Sequence, residues 1–116
     1  MRLQIMVAAV LCLGAGSAMA QTISPQDAQS RIGQTVTVEG VVEDIAHPGI
    51  SQLTLLDIGA KYPNQMLTAV IYAGNVGKFP GADALKGAMV DITGPVTEYQ
   101  GKAQIVLVDP AQLRKH

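Results

Sequence analysis

The sequence is short of the residues that usually announce a chemistry. It has one cysteine, no tryptophan, one phenylalanine and three tyrosines in 116 residues, and only 15% of its positions are charged. The single cysteine, Cys12, lies in the first twenty residues, so the rest of the chain can make no disulfide, no thiol nucleophile and no cysteine metal site. Two histidines, His47 and His116, leave little for general acid–base work. All charged residues except Arg2 lie beyond position 20, so the formal charge of −1 for the whole chain becomes −2 for that part. Phosphate neutralisation supplies most of the affinity of strong non-specific nucleic-acid binders, and this balance argues against one.

The longest apolar run is at the start. Arg2 precedes an apolar stretch from Leu3 to Leu13 interrupted by Gln4, and Ala18-Met19-Ala20 follows as a small-x-small cleavage signal. Residues 1–20 therefore read as a secretory signal peptide, with the mature chain expected to begin at Gln21, in the periplasm or outside the cell. The stretch is too short for a membrane span and no later segment qualifies. Bulky Leu11 before Cys12 departs from a lipoprotein anchor, which needs a small residue there.

The remainder is one small domain, residues 21–116, with no repeat and no low-complexity segment. Ser24-Pro25 with Asp27 opens a short helix that Gly33 ends, with Ile23, Ala28 and Ile32 toward the core. The period then becomes two. Val36, Val38, Gly40 and Val42 alternate with polar residues as a half-buried strand, and Gly40 predicts a bulge or sharp bend. Residues 51–59 and 66–73 read as the second and third strands, 88–99 as the fourth and 102–109 as the fifth, with Gln100-Gly101 as a tight hairpin turn. Between the third and fourth, Asp83 to Lys86 predicts one helical turn closed by Gly87, and the tail "AQLRKH" one docked turn. Helix, three strands, a loop with a helical turn and two strands match a five-stranded Greek-key OB-fold barrel. Gly40 and Gly94 fall where strands one and four must bend to close it. A small open antiparallel sheet under one helix is the alternative.

Four segments carry a family resemblance: "VTVEGVV" (Val36 to Val42), "GAKYPNQMLTAVIYA" (Gly59 to Ala73), "KFP" (Lys78 to Pro80) and "LKGAMVDITGPVTEYQGKAQIVLVDPAQL" (Leu85 to Leu113). Over residues 33–113 the chain resembles small secreted bacterial OB-fold proteins commonly labelled nucleic-acid-binding or DNA-binding. The resemblance implies a ligand face on strands two and three, flanked by loops at His47 to Ser51 and Thr97 to Lys102. The function implied is weaker than the fold, because one fold hosts many functions.

Single-stranded nucleic acid needs aromatic platforms for bases and cations beside phosphates. Tyr62, Tyr72 and Tyr99 are the candidate platforms, and Lys61, Lys78 and Lys102 the cations beside them. Asn64 and Gln65 add amides that suit a neutral hydroxylated ligand. Phe79, next to Pro80, reads instead as a plug at the barrel end. No catalytic residue, metal site or cofactor is expected: His47 precedes a proline in a turn, His116 ends the chain and is expected to be mobile, and Ser24, Ser30 and Ser51 have no base in any motif. Asp57, Asp91 and Asp109 lie in or beside strands, where only the fold could pair them. Three readings follow: a module for single-stranded nucleic acid; a non-catalytic envelope module for a glycan, small molecule or protein; and a protein whose sheet edge mediates self-association. A continuous positive groove would favour the first, scattered charges the second.

Overall fold

A computed structural model describes residues 20–49 and 52–116 of the chain. The signal-peptide reading of residues 1–19 and the expected flanking positions at 50 and 51 lie outside the described residues. Among these residues eight strands form: β1 (Gln21–Ile23), β2 (Thr35–Ala46), β3 (Thr54–Ile58), β4 (Leu67–Ile71), β5 (Met89–Pro95), β6 (Thr97–Tyr99), β7 (Lys102–Val106) and β8 (Leu113–Lys115). Short 3-10 helices occupy Pro25–Arg31, Ala73–Lys78, Ala82–Ala84 and Pro110–Gln112.

The neighbours in the sheet run β6-β7-β4-β3-β2-β5-β8, with β1 parallel to β2. Among the described residues no ladder joins the two ends of that path, so the sheet they form is not closed by hydrogen bonds. Covalent continuity nearly closes it. The expected fourth strand is split at Val96 into β5, which pairs antiparallel with β2, and β6, which pairs with β7. Val96 is 1% exposed, and its N–H and C=O bond to Gln34 and Gly33 at 2.8 Å. This buried corner turns one segment from one half of the sheet to the other. Parallel pairing of β4 with β7 completes the Greek-key arrangement of an OB fold.

The period-two reading holds in β2: Val36, Val38 and Val42 are buried while Thr35 and Glu39 face water. They meet Leu56, Ile58, Leu67, Ile71, Ile92 and Ile105 in one core, with Phe79 packed at its margin as expected. The Gly40 bulge is corrected. Gly40 pairs regularly with Val90, and the register shift against β3 falls between Val42 and Asp44. Gly40 is needed for close approach instead: a Cβ there would lie 2.5 Å from Pro25 Cγ and 2.8 Å from Ile58 Cγ2. The 3-10 helix thus seats its first residue directly on β2.

Other boundaries also shift. The N-terminal helix forms, but as a 3-10 segment; Ile32 is 37% exposed rather than docked, and Ala28 carries the contact with the core. The loop between β4 and β5 holds two 3-10 turns, with Gly87 at φ +86° after the second. The tail does more than dock one turn. After Asp109 caps Pro110–Gln112 in a capping box, β8 adds to the edge of β5. Gln112 organises this end: its Oε1 accepts from the N–H groups of Val108 and Asp109, and its Nε2 donates to the carbonyls of Thr93 and Val106. That Nε2 would sit 2.9 Å from a Cβ at Gly94, and Ile105 Cγ2 2.8 Å from it, so Gly94 is small because β5, β7 and the tail converge over it.

Candidate functional site

The cross-strand register builds the ligand-facing surface rung by rung. On the outer face, Ala46, Leu55 and Val70 make one apolar rung across β2, β3 and β4. Two residues along, Asp44, Asp57, Thr68, Gln104 and Thr97 make a polar rung from β2 to β6. The loop before β4 and the β6–β7 hairpin rise at the polar end. Leu53 and Tyr72 close the apolar end. The result is a cleft of about 470 Å³ whose walls include Tyr62, Pro63, Tyr72, Tyr99 and Lys102. That volume lies in the range of small-ligand sites.

Each wall residue has a local reason for its place. Gly59 at φ +89° turns the chain out of β3, and Met66 N–H returns to Ile58 C=O at 3.0 Å, so residues 60–65 stand above the sheet. The Tyr62–Pro63 peptide is cis. Gln100 and Gly101, both at positive φ, form the two-residue hairpin turn that the sequence predicts, with Tyr99 opposite Lys102. Lys102 Nζ donates to Pro63 C=O at 2.6 Å and ties hairpin to loop. Tyr62, Tyr72 and Tyr99 are 74%, 51% and 61% exposed, which leaves their ring faces available for stacking.

Five of the eight residues singled out from the sequence line this cleft: Tyr62, Gln65, Tyr72, Tyr99 and Lys102. Lys61, Asn64 and Lys78 do not. Asn64 N–H bonds Lys61 C=O at 2.8 Å within the loop, and Lys78 Nζ donates to Val108 C=O at 3.3 Å. The groove is therefore not continuously positive, and among the described residues Lys102 is its one lining cation.

The polar rung carries the site's own electrostatics. Asp57 is 3% exposed on the cleft floor. Burial first, and then the charge of neighbouring Asp44, push its carboxyl above the ordinary carboxylate value, against a hydrogen bond from the Tyr62 N–H. Asp44 goes the other way, held down by the Ile45 N–H at 3.0 Å and then by Lys86 at 3.4 Å. Gln65 Nε2 donates to Thr68 Oγ1 at 3.3 Å, while its Oε1 is buried without a partner. The cleft can thus stack flat rings at three points, accept hydrogen bonds on its floor and offer one positive charge.

His47, expected on a flank of the ligand face, is elsewhere. It lines a separate shallow depression, with Nε2 3.0 Å from Asp83 Oδ1 and Nδ1 3.3 Å from Thr54 Oγ1. His116 is corrected more sharply. Far from being mobile, its N–H donates to Met89 C=O at 2.9 Å, and its Nε2 lies 2.6 Å from Glu39 Oε2 and 2.9 Å from Asp91 Oδ1. Sequence reasoning missed this triad because residues 39, 91 and 116 have no motif spacing. It also missed that Asp57, Thr68 and Gln104 form one rung, although alternation within each strand already placed each on a face.

No protein-family profile matches the chain, and no curated protein matches it. Solved structures do. An OBody bound to hen egg-white lysozyme superposes with a TM-score of 0.61 at 17% identity, covering 83% of this chain and 93% of that one. A Klebsiella pneumoniae lipoprotein, classed provisionally as nucleic-acid-binding, gives 0.52 at 21% identity over 84% and 92% of the two chains. Entamoeba histolytica asparaginyl-tRNA synthetase in complex with asparaginyl-adenylate gives 0.57 at 16% identity, but this chain spans only 24% of its length. At these identities the likeness is one of fold: the domain is an OB fold.

Proposed function

We propose that this chain is a non-catalytic OB-fold binding module that takes a short single-stranded nucleic acid in the β3–β4–β7 cleft. The observation that carries the reading is the placement of the three tyrosines. Chain positions 62, 72 and 99 share no local pattern, yet all three rings border one cleft on the face that OB domains use for ligands. From the level of Met66 to that of Tyr72 the strand direction covers about 20 Å, at the usual rise per residue. Bases stack between Tyr62 and Tyr99 at one end and on Tyr72 at the other, with Lys102 beside a phosphate. The nucleic-acid-binding designation of the Klebsiella lipoprotein is consistent with this reading.

The single lining cation sharpens it. A ligand held chiefly by stacking releases few counterions. With one phosphate neutralised, log K should fall with log salt at a slope of about −0.7. Fluorescence anisotropy of a labelled oligonucleotide, titrated at several salt concentrations, tests this. Binding with a shallow slope, weakened by Tyr62→Ala, Tyr72→Ala and Tyr99→Ala, supports the proposal; no binding at low salt refutes it.

The acidic floor favours one second reading. Asp57 and the unpartnered Gln65 Oε1 are acceptors, which suit a donor-rich neutral ligand or a protein segment in the cell envelope. The OBody bound to lysozyme shows the fold serving a protein partner. A glycan array or capture from envelope extract, compared between the native chain and Tyr62→Ala, separates the two. Export through residues 1–20 belongs to both readings, and cell fractionation tests it.

A further inference from the structure

On β2, β5 and the chain beyond β8, away from the cleft, Glu39, Asp91 and His116 converge. The strand register brings them together. Glu39 and Asp91 are direct partners in the antiparallel β2–β5 ladder, so two carboxylates stand opposite each other on the outer face. Like charges in that position destabilise a sheet unless a cation lies between them. The pairing of β8 with β5 then delivers His116, anchored by its backbone bond to Met89. Its Nε2 faces both carboxylates at 2.6 and 2.9 Å, though one imidazole nitrogen carries at most one proton for two acceptors.

We propose that Glu39, Asp91 and His116 form a binding site for a divalent transition-metal ion of the zinc class. The three ligand atoms lie within 4.8 Å of one another. Around a tetrahedral zinc with bonds of about 2.0 Å, ligand atoms stand about 3.3 Å apart. From its two short contacts, at 2.6 and 2.9 Å, the triad reaches that spacing by opening about 0.7 and 0.4 Å. Imidazole nitrogen selects for zinc-like ions over calcium and magnesium, which call for more oxygen ligands than two carboxylates supply. The side chains of Glu39, Asp91 and His116 are 43%, 32% and 44% exposed, so an ion can enter and keep water at its fourth position. Bound there, the ion bridges β2 and β5 and pins the chain end after β8 against them.

The test is calorimetric titration of the full chain with zinc chloride at fixed pH, with thermal unfolding followed in parallel. Zinc should bind with one-to-one stoichiometry and raise the unfolding midpoint, while magnesium and calcium do neither. His116→Gln should weaken zinc binding by at least about tenfold, the loss that removal even of an outer-shell partner can bring. Glu39→Gln should do the same, and circular dichroism of both variants checks that they fold. His47→Gln, which alters the other histidine–aspartate pair, should leave affinity unchanged. Absence of zinc binding, which would leave His116 only as a proton-bearing partner for the two carboxylates, overturns the proposal; so does binding that follows His47.

Discussion

Gly40→Ala is the substitution that the packing resolves most sharply. The change adds one methyl group in the middle of β2, where propensity alone would favour alanine. Restricting the unfolded chain should contribute about 0.4–1 kcal/mol of stability. The folded state opposes this. The new carbon would sit 2.5 Å from Pro25 Cγ and 2.8 Å from Ile58 Cγ2, where carbon atoms normally stand about 3.5–4.0 Å apart. Neither neighbour yields easily: Pro25 is a closed ring at the start of a 3-10 helix, and Ile58 is fully buried. Overpacking of this kind costs about 1–3 kcal/mol. The net expectation is a loss of about 1–2 kcal/mol, or a fall of roughly 4–16 °C in Tm for a domain of this size. Urea unfolding should show a lower midpoint with an unchanged m value. Pro25→Ala removes the nearer obstacle, so the double variant should be more stable than the sum of the two single effects by at least about 0.5 kcal/mol. Equal stability of Gly40→Ala and the native chain, with additive behaviour in the double variant, would refute the close-approach account and restore a bend as the role of Gly40.

Three further outcomes are expected. Replacing Tyr62, Tyr72 or Tyr99 by alanine should each weaken oligonucleotide binding by about 1–3 kcal/mol, measured by anisotropy, with little change in unfolding midpoint; loss of binding only with Lys61 or Lys78 would point to a different face. Asp57→Asn should stabilise the domain at neutral pH, and the advantage should shrink in acid. The carboxyl's folded pKa is raised, so its proton favours the folded state at low pH and that contribution is lost as the pH rises through the folded value; urea midpoints of the two proteins that stay parallel from acid to neutral pH would contradict this. Gln112→Ala leaves the carbonyls of Thr93 and Val106 and the N–H groups of Val108 and Asp109 without this side chain. It should cost about 1–3 kcal/mol and speed hydrogen exchange in β8 before the rest of the sheet.

The OB fold was largely legible before the structure, for reasons that act over short distances. Alternation in residues 35–46 reflects side chains pointing to opposite faces of a strand. Gln100-Gly101 makes a two-residue hairpin because both positions adopt positive φ, and Phe79 beside Pro80 goes inward as the most apolar ring in the chain. The split of the fourth strand at Val96 was not legible, because its cause is the bonding of Val96 to Gln34 and Gly33, sixty residues earlier. Strands β1 and β8 were missed for the same kind of reason. Three residues carry too little periodicity to mark a strand, and each is held by a neighbour rather than by its own composition.

The candidate site divides along the same line. Composition alone restricted aromatic stacking to four rings and ruled out cysteine chemistry beyond Cys12. Those conclusions need only a count of residues. Which rings share a surface depends on register, and register is settled by cross-strand pairing and core packing. Only the tertiary structure could place Tyr62, Tyr72 and Tyr99 around one cleft, leave Lys61 and Lys78 outside it, lay Asp57 on its floor and bring His116 between Glu39 and Asp91. Sequence neighbours report local conformation, whereas a binding surface is made of residues that become neighbours only when the sheet is assembled.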